Sequence, residues 1–259
     1  MSRTDPKFET RLAQSSEDLR AAQRLRYRVF IEELGGDGDM VDHENRLEMD
    51  AFDAHYDHLL LIDHSREGGV EEQVVGVYRL LLGEKAAEIG QFYSENEYDL
   101  TCLKQSGRKL LELGRSCVHP NYRGGTAMFH LWNGLAEYVL SNGVEILFGV
   151  ASFHGTNVED IKQSLAYLHH NHLAPEELRV RVVPEHFQTM DLVPTDQLDR
   201  RAAMVNTPAL IKAYLRLGGF VGEGAYLDYS FNTTDVCLLM DTERMNAKHK
   251  NFYTKARDA

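Results

Sequence analysis

Leu110-Leu-Glu-Leu-Gly-Arg-Ser-Cys-Val118, followed by His119-Pro-Asn-Tyr-Arg-Gly-Gly125 and a long amphipathic segment, decides how this chain reads. The first stretch has the length and apolar content of a central strand, and His119-Pro120 breaks it. Beyond the glycines, Met128, Leu131, Trp132, Leu135, Val139 and Leu140 fall on one helical face, which Asn142-Gly143 ends. Strand, glycine turn and helix in that order place backbone amides at a helix N-terminus, where a phosphate can approach. Glu112 and Arg115 stand three residues apart, so strict alternation sends them to opposite faces of the strand. Gly114 between them is a natural bulge position, which would bring both to one side and free a backbone N–H. A splayed strand with a free amide and two charged groups suits acyl transfer. An ordinary strand with a cross-strand ion pair is the structural alternative.

Upstream, residues 8–13 read as a strand, and Ser15 or Ser16 caps a helix running to about Leu34, with Glu17 and Asp18 in its first turn. Ala22, Arg26, Val29 and Phe30 share one face of it, so Arg26 stands where an apolar residue belongs. Arginine is almost never buried without a partner. Either Arg26 snorkels at the rim of the core, or it pairs with a carboxylate of the acidic loop at 35–57. Asp50, Asp53 and Asp57 are the candidates, and the same acids could grip a cationic substrate. Residues 58–63 and 73–82 read as strands, and 83–107 as loop with one helical turn. Downstream, the pattern gives a strand at 144–153 and a helix at 157–170. A Pro-punctuated insertion follows at 173–206, then a helix opened by Thr207-Pro208 and closing strands near 220–229 and 235–240. Strands without regular βαβ alternation make the class α+β.

The composition narrows the function. The 259 residues are 43% hydrophobic and 26% charged, which excludes wholesale disorder. A net charge of −12 argues against nucleic-acid binding, since phosphate backbones demand clustered cations. The sequence shows neither an apolar run of membrane-spanning length nor a signal peptide, so a cytoplasmic protein is expected. Cys102, Cys117 and Cys237 are too widely spaced for a zinc or redox pair. Cys117 reads as a small buried hydrophobe rather than an acyl-accepting nucleophile. Asp37, Asp39 and Glu48 have calcium-loop spacing, but Val41 and Asp42 occupy positions where a ligand and a glycine are required. His169, His170 and His172 suit the negative end of a helix better than a metal. No metal is expected. Residues 244–259 carry a net charge of +4 around Phe252 and Tyr253, either a solvated end or a segment for peripheral contact with an anionic membrane.

The strand, the Val-x-Pro-x-Tyr-Arg-Gly turn and the helix together resemble the GCN5-related N-acyltransferase superfamily. Leu25-Arg-Tyr-Arg-Val-Phe30, Asp50-Ala-Phe-Asp53, Val75-Gly-Val-Tyr-Arg-Leu80 and Glu112-Leu-Gly-Arg115 look like the motif series of its acyl-homoserine-lactone synthases. The extension Ser116-Cys-Val-His-Pro120, Tyr167-Leu-His-His170, Leu210 to Gly219, Val221-Gly-Glu-Gly224 and Thr233-Thr-Asp-Val236 is similar to the ornithine-acyl-carrier-protein N-acyltransferases of bacterial aminolipid synthesis. The resemblance implies a single N-acyltransferase domain over 1–259, with a mixed, mostly antiparallel sheet flanked by helices. It implies transfer of a 3-hydroxy fatty acyl group to the α-amine of L-ornithine. The donor would be the acyl-phosphopantetheine of acyl carrier protein, and no cofactor would be held permanently. Carried over position by position, Glu112 and Arg115 are catalytic candidates, and Arg26, Asp50, Asp53 and Arg79 bind substrate. Ser116, Cys117, Val118, Arg123, Gly124 and Gly125 would meet the acyl donor.

Two departures matter. Gly36 stands where the lactone synthases usually carry Trp. Arg123-Gly-Gly-Thr-Ala-Met128 lacks the two later glycines of the superfamily's phosphate loop, which favours a carrier-protein donor over coenzyme A. Arg108, Lys109 and Arg123 are the nearest basic residues for an acidic carrier. The residues leave open another acceptor such as glutamine or glycine, a lactone synthase, and a non-catalytic acyl-carrier or membrane-binding module.

Overall fold

The computed structural model describes residues 5–244. Its strands are β1 (Phe8–Leu12), β2 (Asp57–Asp63), β3 (Val74–Leu82), β4 (Tyr98–Asp99), β5 (Leu110–Val118), β6 (Ile146–His154), β7 (Arg181–Val182), β8 (Phe220–Val221), β9 (Tyr226–Asp228) and β10 (Thr233–Asp241). The helices are α1 (Ser16–Arg26), α2 (Val70–Gln73), α3 (Gly83–Ile89), α4 (Thr101–Gln105), α5 (Ala127–Asn142), α6 (Val158–His172), α7 (Arg200–Asn206) and α8 (Ala209–Arg216). Mostly antiparallel pairing, one parallel pair and flanking helices make this the α+β architecture that the sequence predicts. The described residues divide into two compact units that share β5, one holding 5–81 and 113–142, the other 82–112 and 143–244.

In the first unit the strand order is β1-β2-β3-β5. Ser15 caps α1, its hydroxyl accepting from the Asp18 N–H at 3.1 Å. The apolar face of α1 and its continuation, Ala21, Ala22, Leu25 and Val29, packs with Leu60, Ile62, Val77 and Cys117, each large aliphatic contributing about 1.5–3 kcal/mol. Helix α5 lies close on the strands because glycines meet it. A Cβ on Gly134 would stand 2.4 Å from Thr10 Cγ2, and one on Gly76 would stand 2.8 Å from Leu131 Cδ1.

The predicted first helix changes form partway. It is α-helical only to Arg26, and Tyr27–Glu33 continue as a π-helix. Such widened turns are uncommon and tend to mark functional sites, because the extra residue re-aims the side chains around it. Arg26 stands at the junction.

In the second unit, β5 runs parallel to β6 from Leu110↔Ile146 to Glu112↔Phe148. Strand β6 pairs antiparallel with β10, which also carries β8 and β9, while β4 and β7 form a separate pair. Residues 83–107 are more ordered than expected, holding α3, a 3-10 turn at Tyr93–Asn96, β4 and α4. Their buried residues (Ala86, Phe92, Tyr98, Leu100, Leu103) sit in segments too short to show a period. Thr207 closes α7 rather than opening α8: its hydroxyl donates to the Ala203 carbonyl at 2.8 Å, and Pro208 occupies the cap position. The irregularity in β5 also falls one residue late. Arg115, not Gly114, takes the left-handed conformation, with φ of 47°.

Candidate active site

The anomaly of Arg26 resolves into an ion network inside the first unit. Arg26 is 0% exposed and meets Asp53 fork to fork, Nη1 to Oδ1 at 2.7 Å and Nη2 to Oδ2 at 3.0 Å. Its Nε donates to the Glu48 carboxylate and its Nη2 to the Glu48 carbonyl at 2.7 Å. Arg79 on β3 reaches Asp50 at 2.7 Å and Asp53 at 2.9 Å and lies 4.3 Å over the Tyr56 ring. Arg115 on β5 donates to Glu48 Oε1 at 3.0 Å and stands 3.5 Å from Asp50. Gln23 and His58 complete the shell around Asp53, at 2.9 Å to its carboxylate and 3.0 Å to its carbonyl.

Three guanidiniums thus meet three carboxylates. Burial disfavours every charge here, and the opposite charges overcome it. Arg26 is raised above its ordinary range by Glu48 and Asp53, which outweigh its desolvation. Asp53 is held well below the carboxylate range by Arg26 and Arg79 against the same penalty, and Glu48 is lowered by Arg26 and Arg115. Of the two readings of Arg26, snorkelling or pairing with the acidic loop, the fold contains the pairing. Asp57 goes elsewhere, accepting from the Tyr138 hydroxyl at 2.6 Å.

Glu48 escaped the sequence reading, which weighed it only as a calcium ligand. The count of partners was the available signal, since two buried arginines and a half-buried third need more carboxylates than Asp50 and Asp53 provide. Asp50, Asp53 and Glu48 are engaged with guanidiniums, so the network braces the loop against β3 and β5.

Glu112 belongs to the second unit and is held differently. It is 1% exposed, and its two oxygens accept backbone N–H groups from Tyr93 at 3.0 Å and Ser94 at 2.7 Å. Those amides open the 3-10 turn at Tyr93–Asn96, so a turn N-terminus orients the carboxylate. Burial along β5 lifts only at Gly114, Arg115 and Ser116, which are half-buried between buried flanks. The strand therefore opens where its backbone departs from regular geometry.

The expected donor-side residues divide. Cys117 packs in the core, and burial pushes its thiol up to about 12, so it stays protonated and is a poor nucleophile. Val118 is buried too, which leaves both residues only their backbone for a donor. The Ser116 hydroxyl is enclosed and has no hydrogen-bond partner among the described residues. Arg123 is tied to Glu33, Nη2 to Oε2 at 2.8 Å, and to the Val118 carbonyl at 3.1 Å. Gly124 takes a φ of 75°, which favours glycine, and open space surrounds both its Cβ position and most of Gly125's. Of the expected basic residues, Arg108 is forked onto Asp241 at 2.8 and 2.7 Å and belongs with Lys109 to the second unit, and Arg123 belongs to the first. His170 Nε2 lies 3.0 Å from the Val193 carbonyl and 3.3 Å from Asp191. The basic tail beyond Arg244 lies outside the described residues.

Residues 25–133 match the family model described as an acetyltransferase (GNAT) domain. The chain is 63% identical over 248 residues to an L-ornithine N(alpha)-acyltransferase of Rhodobacter capsulatus, covering 96% of this chain and 95% of the relative. The chain belongs to the L-ornithine N(alpha)-acyltransferase family. A further member of that family, from Brucella abortus, is 40% identical over 95% of this chain and 88% of its own. Among solved structures, the fold is similar to FeeM, an N-acyl amino acid synthase from uncultured soil microbes, with a TM-score of 0.52 at 12% identity over 92% of each chain. A CoA-dependent acyl-homoserine lactone synthase, BjaI, has a TM-score of 0.51 at 13% identity, covering 93% of this chain and 82% of that one. For this acyltransferase family member the two structures establish the fold. No helix among its described residues is long and apolar enough to cross a membrane.

Proposed function

We propose that this chain transfers a 3-hydroxy fatty acyl group from acyl carrier protein to the α-amine of L-ornithine, forming an amide and releasing the carrier thiol. The observation that carries this reading is 63% identity across nearly the full length of an L-ornithine N(alpha)-acyltransferase. The donor assignment rests on the phosphate loop, which lacks its later glycines and whose Arg123 is engaged by Glu33.

The amine attacks directly in a ternary complex. A free α-amine has a pKa near 8 and is largely protonated at neutral pH, so attack requires a base. Glu112 takes that role, directly or through water, and such assistance is worth about 10²–10⁴-fold. Its two amide contacts fix the carboxylate. A backbone N–H in the half-buried Gly114–Ser116 stretch stabilises the tetrahedral oxyanion, an effect of about 3–4 kcal/mol. The enclosed Ser116 hydroxyl is available to the donor. Arg115 orients the acceptor, while Arg26, Asp50, Asp53 and Arg79 act as positioning residues that fix it. A protonated Cys117 supports the absence of an acyl-enzyme.

The test is incubation with 3-hydroxyacyl carrier protein and a panel of amino acids, with products identified by mass. Ornithine is expected to be the preferred acceptor, and carrier protein to give a higher kcat/KM than the matching coenzyme A thioester. Preference for glutamine or glycine would overturn the acceptor, and equal kcat/KM values would overturn the donor.

A further inference from the structure

Two arginines of the first unit, Arg28 and Arg66, stand in no ion pair among the described residues. Arg28, two residues beyond Arg26, is exposed and forms no ion pair among the described residues. Arg66, on the turn after β2, has an enclosed Nε with no hydrogen-bond partner, and its guanidinium lies 5.9 Å over the Tyr122 ring. Both line a cleft of about 370 Å³ with Arg24, Arg46, Val74 and His119. Three carboxylates also face this cleft, two of them paired with arginines and the third bound by a backbone amide. Glu71 binds Arg20 at 3.0 Å and Arg24 at 2.9 Å, Glu32 pairs with Arg46, and Glu72 accepts from the Gly69 N–H at 2.9 Å.

His119 adds a donor without adding a charge. Burial, then Arg28, Arg66 and Arg123, push its pKa down to about 4, so it is neutral at pH 7. Its Nδ1 accepts from the Asn121 N–H at 3.2 Å, which assigns the ring proton to Nε2. The cleft thus gathers two guanidiniums that form no ion pair among the described residues and an imidazole N–H. Guanidiniums of this kind suit phosphate, whose oxygens accept their forked donors. His119 is also the residue at which β5 passes into the Arg123-Gly-Gly-Thr-Ala-Met128 loop, where backbone grip on a phosphate is weakened by the missing glycines.

We propose that Arg28, Arg66 and His119 form a phosphate site for the acyl donor's phosphopantetheine arm, with side chains taking over the grip of a glycine-poor loop. The proposal rests on the reading that the donor is a phosphopantetheine thioester. It predicts that the phosphate, apart from any carrier-protein surface, contributes to recognition.

The experiment compares 3-hydroxyacyl-4′-phosphopantetheine with 3-hydroxyacyl-pantetheine, which lacks only the phosphate, as donors to ornithine. The wild-type protein should prefer the phosphorylated thioester by about tenfold to a hundredfold in kcat/KM, as charge-assisted hydrogen bonds allow. The Arg28→Ala/Arg66→Ala double variant should lose that preference and keep the wild-type rate with the pantetheine thioester, which also reports an intact fold. Calorimetric binding of 4′-phosphopantetheine, against pantetheine, needs no turnover and so separates this site from the acceptor chemistry. It should show the same discrimination in the wild type and none in the double variant. Equal handling of the two thioesters by the wild type, or a preference that survives in the double variant, would overturn the proposal.

Discussion

Arg26 and Arg28 lie two residues apart on one continuous helical segment and meet opposite surroundings. Arg26 is sealed, with both faces of its guanidinium fork answered by Asp53 and Glu48. Arg28 is exposed beside a cleft whose carboxylates serve other cations. A saturated arginine has no donors left for a ligand, so its contribution is geometric: it ties the end of α1 to the acidic loop, whose Glu48 also holds Arg115 of β5. An unsaturated one costs the fold little and is available for binding. The comparison teaches that charge near a site says little about ligand contact until the partners of each charge are counted.

The largest effect is expected at Arg26. Arg26→Ala leaves Glu48 and Asp53 buried with one cation fewer each, and should cost about 3–5 kcal/mol, read as a fall in the denaturation midpoint. A midpoint within experimental error of wild type would break the comparison at its first term. Glu112→Gln comes next. It keeps one oxygen for one turn amide, leaves the other amide unsatisfied and removes the base, so kcat should fall by at least about 10²-fold while the protein still folds, at a cost of about 1–3 kcal/mol. Near-wild-type turnover would remove Glu112 from the chemistry.

Acid sharpens the comparison further. Asp53 and Glu48 have folded pKa values below their ordinary ones, so the unfolded chain binds protons more readily as the pH drops. Their stabilisation is complete above the ordinary carboxylate range near pH 4 and is lost as pH falls through the lower folded values. Thermal midpoints measured from pH 7 downward should therefore stay level to about pH 5 and then decline. A midpoint unchanged down to pH 3 would mean that the network contributes nothing. Arg28→Ala closes the series with a stability change within about 0.5 kcal/mol, as for an exposed side chain without partners. A loss approaching that of Arg26→Ala would erase the distinction between the two.

Much of the fold was legible because its elements are long. Helix α5, strand β5 and strand β10 each run nine residues or more, enough for an apolar pattern to declare itself. Residues 83–107 were not legible, since α3, β4 and α4 span seven, two and five residues and owe their order to tertiary burial. The site divides by the kind of partner. Arg26, Asp50, Asp53 and Arg79 announce themselves as charges in apolar or clustered settings, and the fold joins them. Glu112 is held by backbone amides, which every residue carries and no sequence displays. Glu48 was visible as an acid, but its role depends on Arg115 turning through a left-handed conformation that a non-glycine residue rarely adopts. The Arg28 cleft is legible only in three dimensions, because its members come from α1, the turn after β2 and the end of β5.

The central claim is an amide formed at one particular nitrogen of a diamine, and fragmentation of the reaction product by tandem mass spectrometry tests it most directly. Supplied with 3-hydroxyacyl carrier protein and L-ornithine, the protein should yield a single lyso-lipid carrying its acyl group on the α-nitrogen and a free side-chain amine. Acylation of the side-chain nitrogen, or no acylated ornithine at all, would contradict the account.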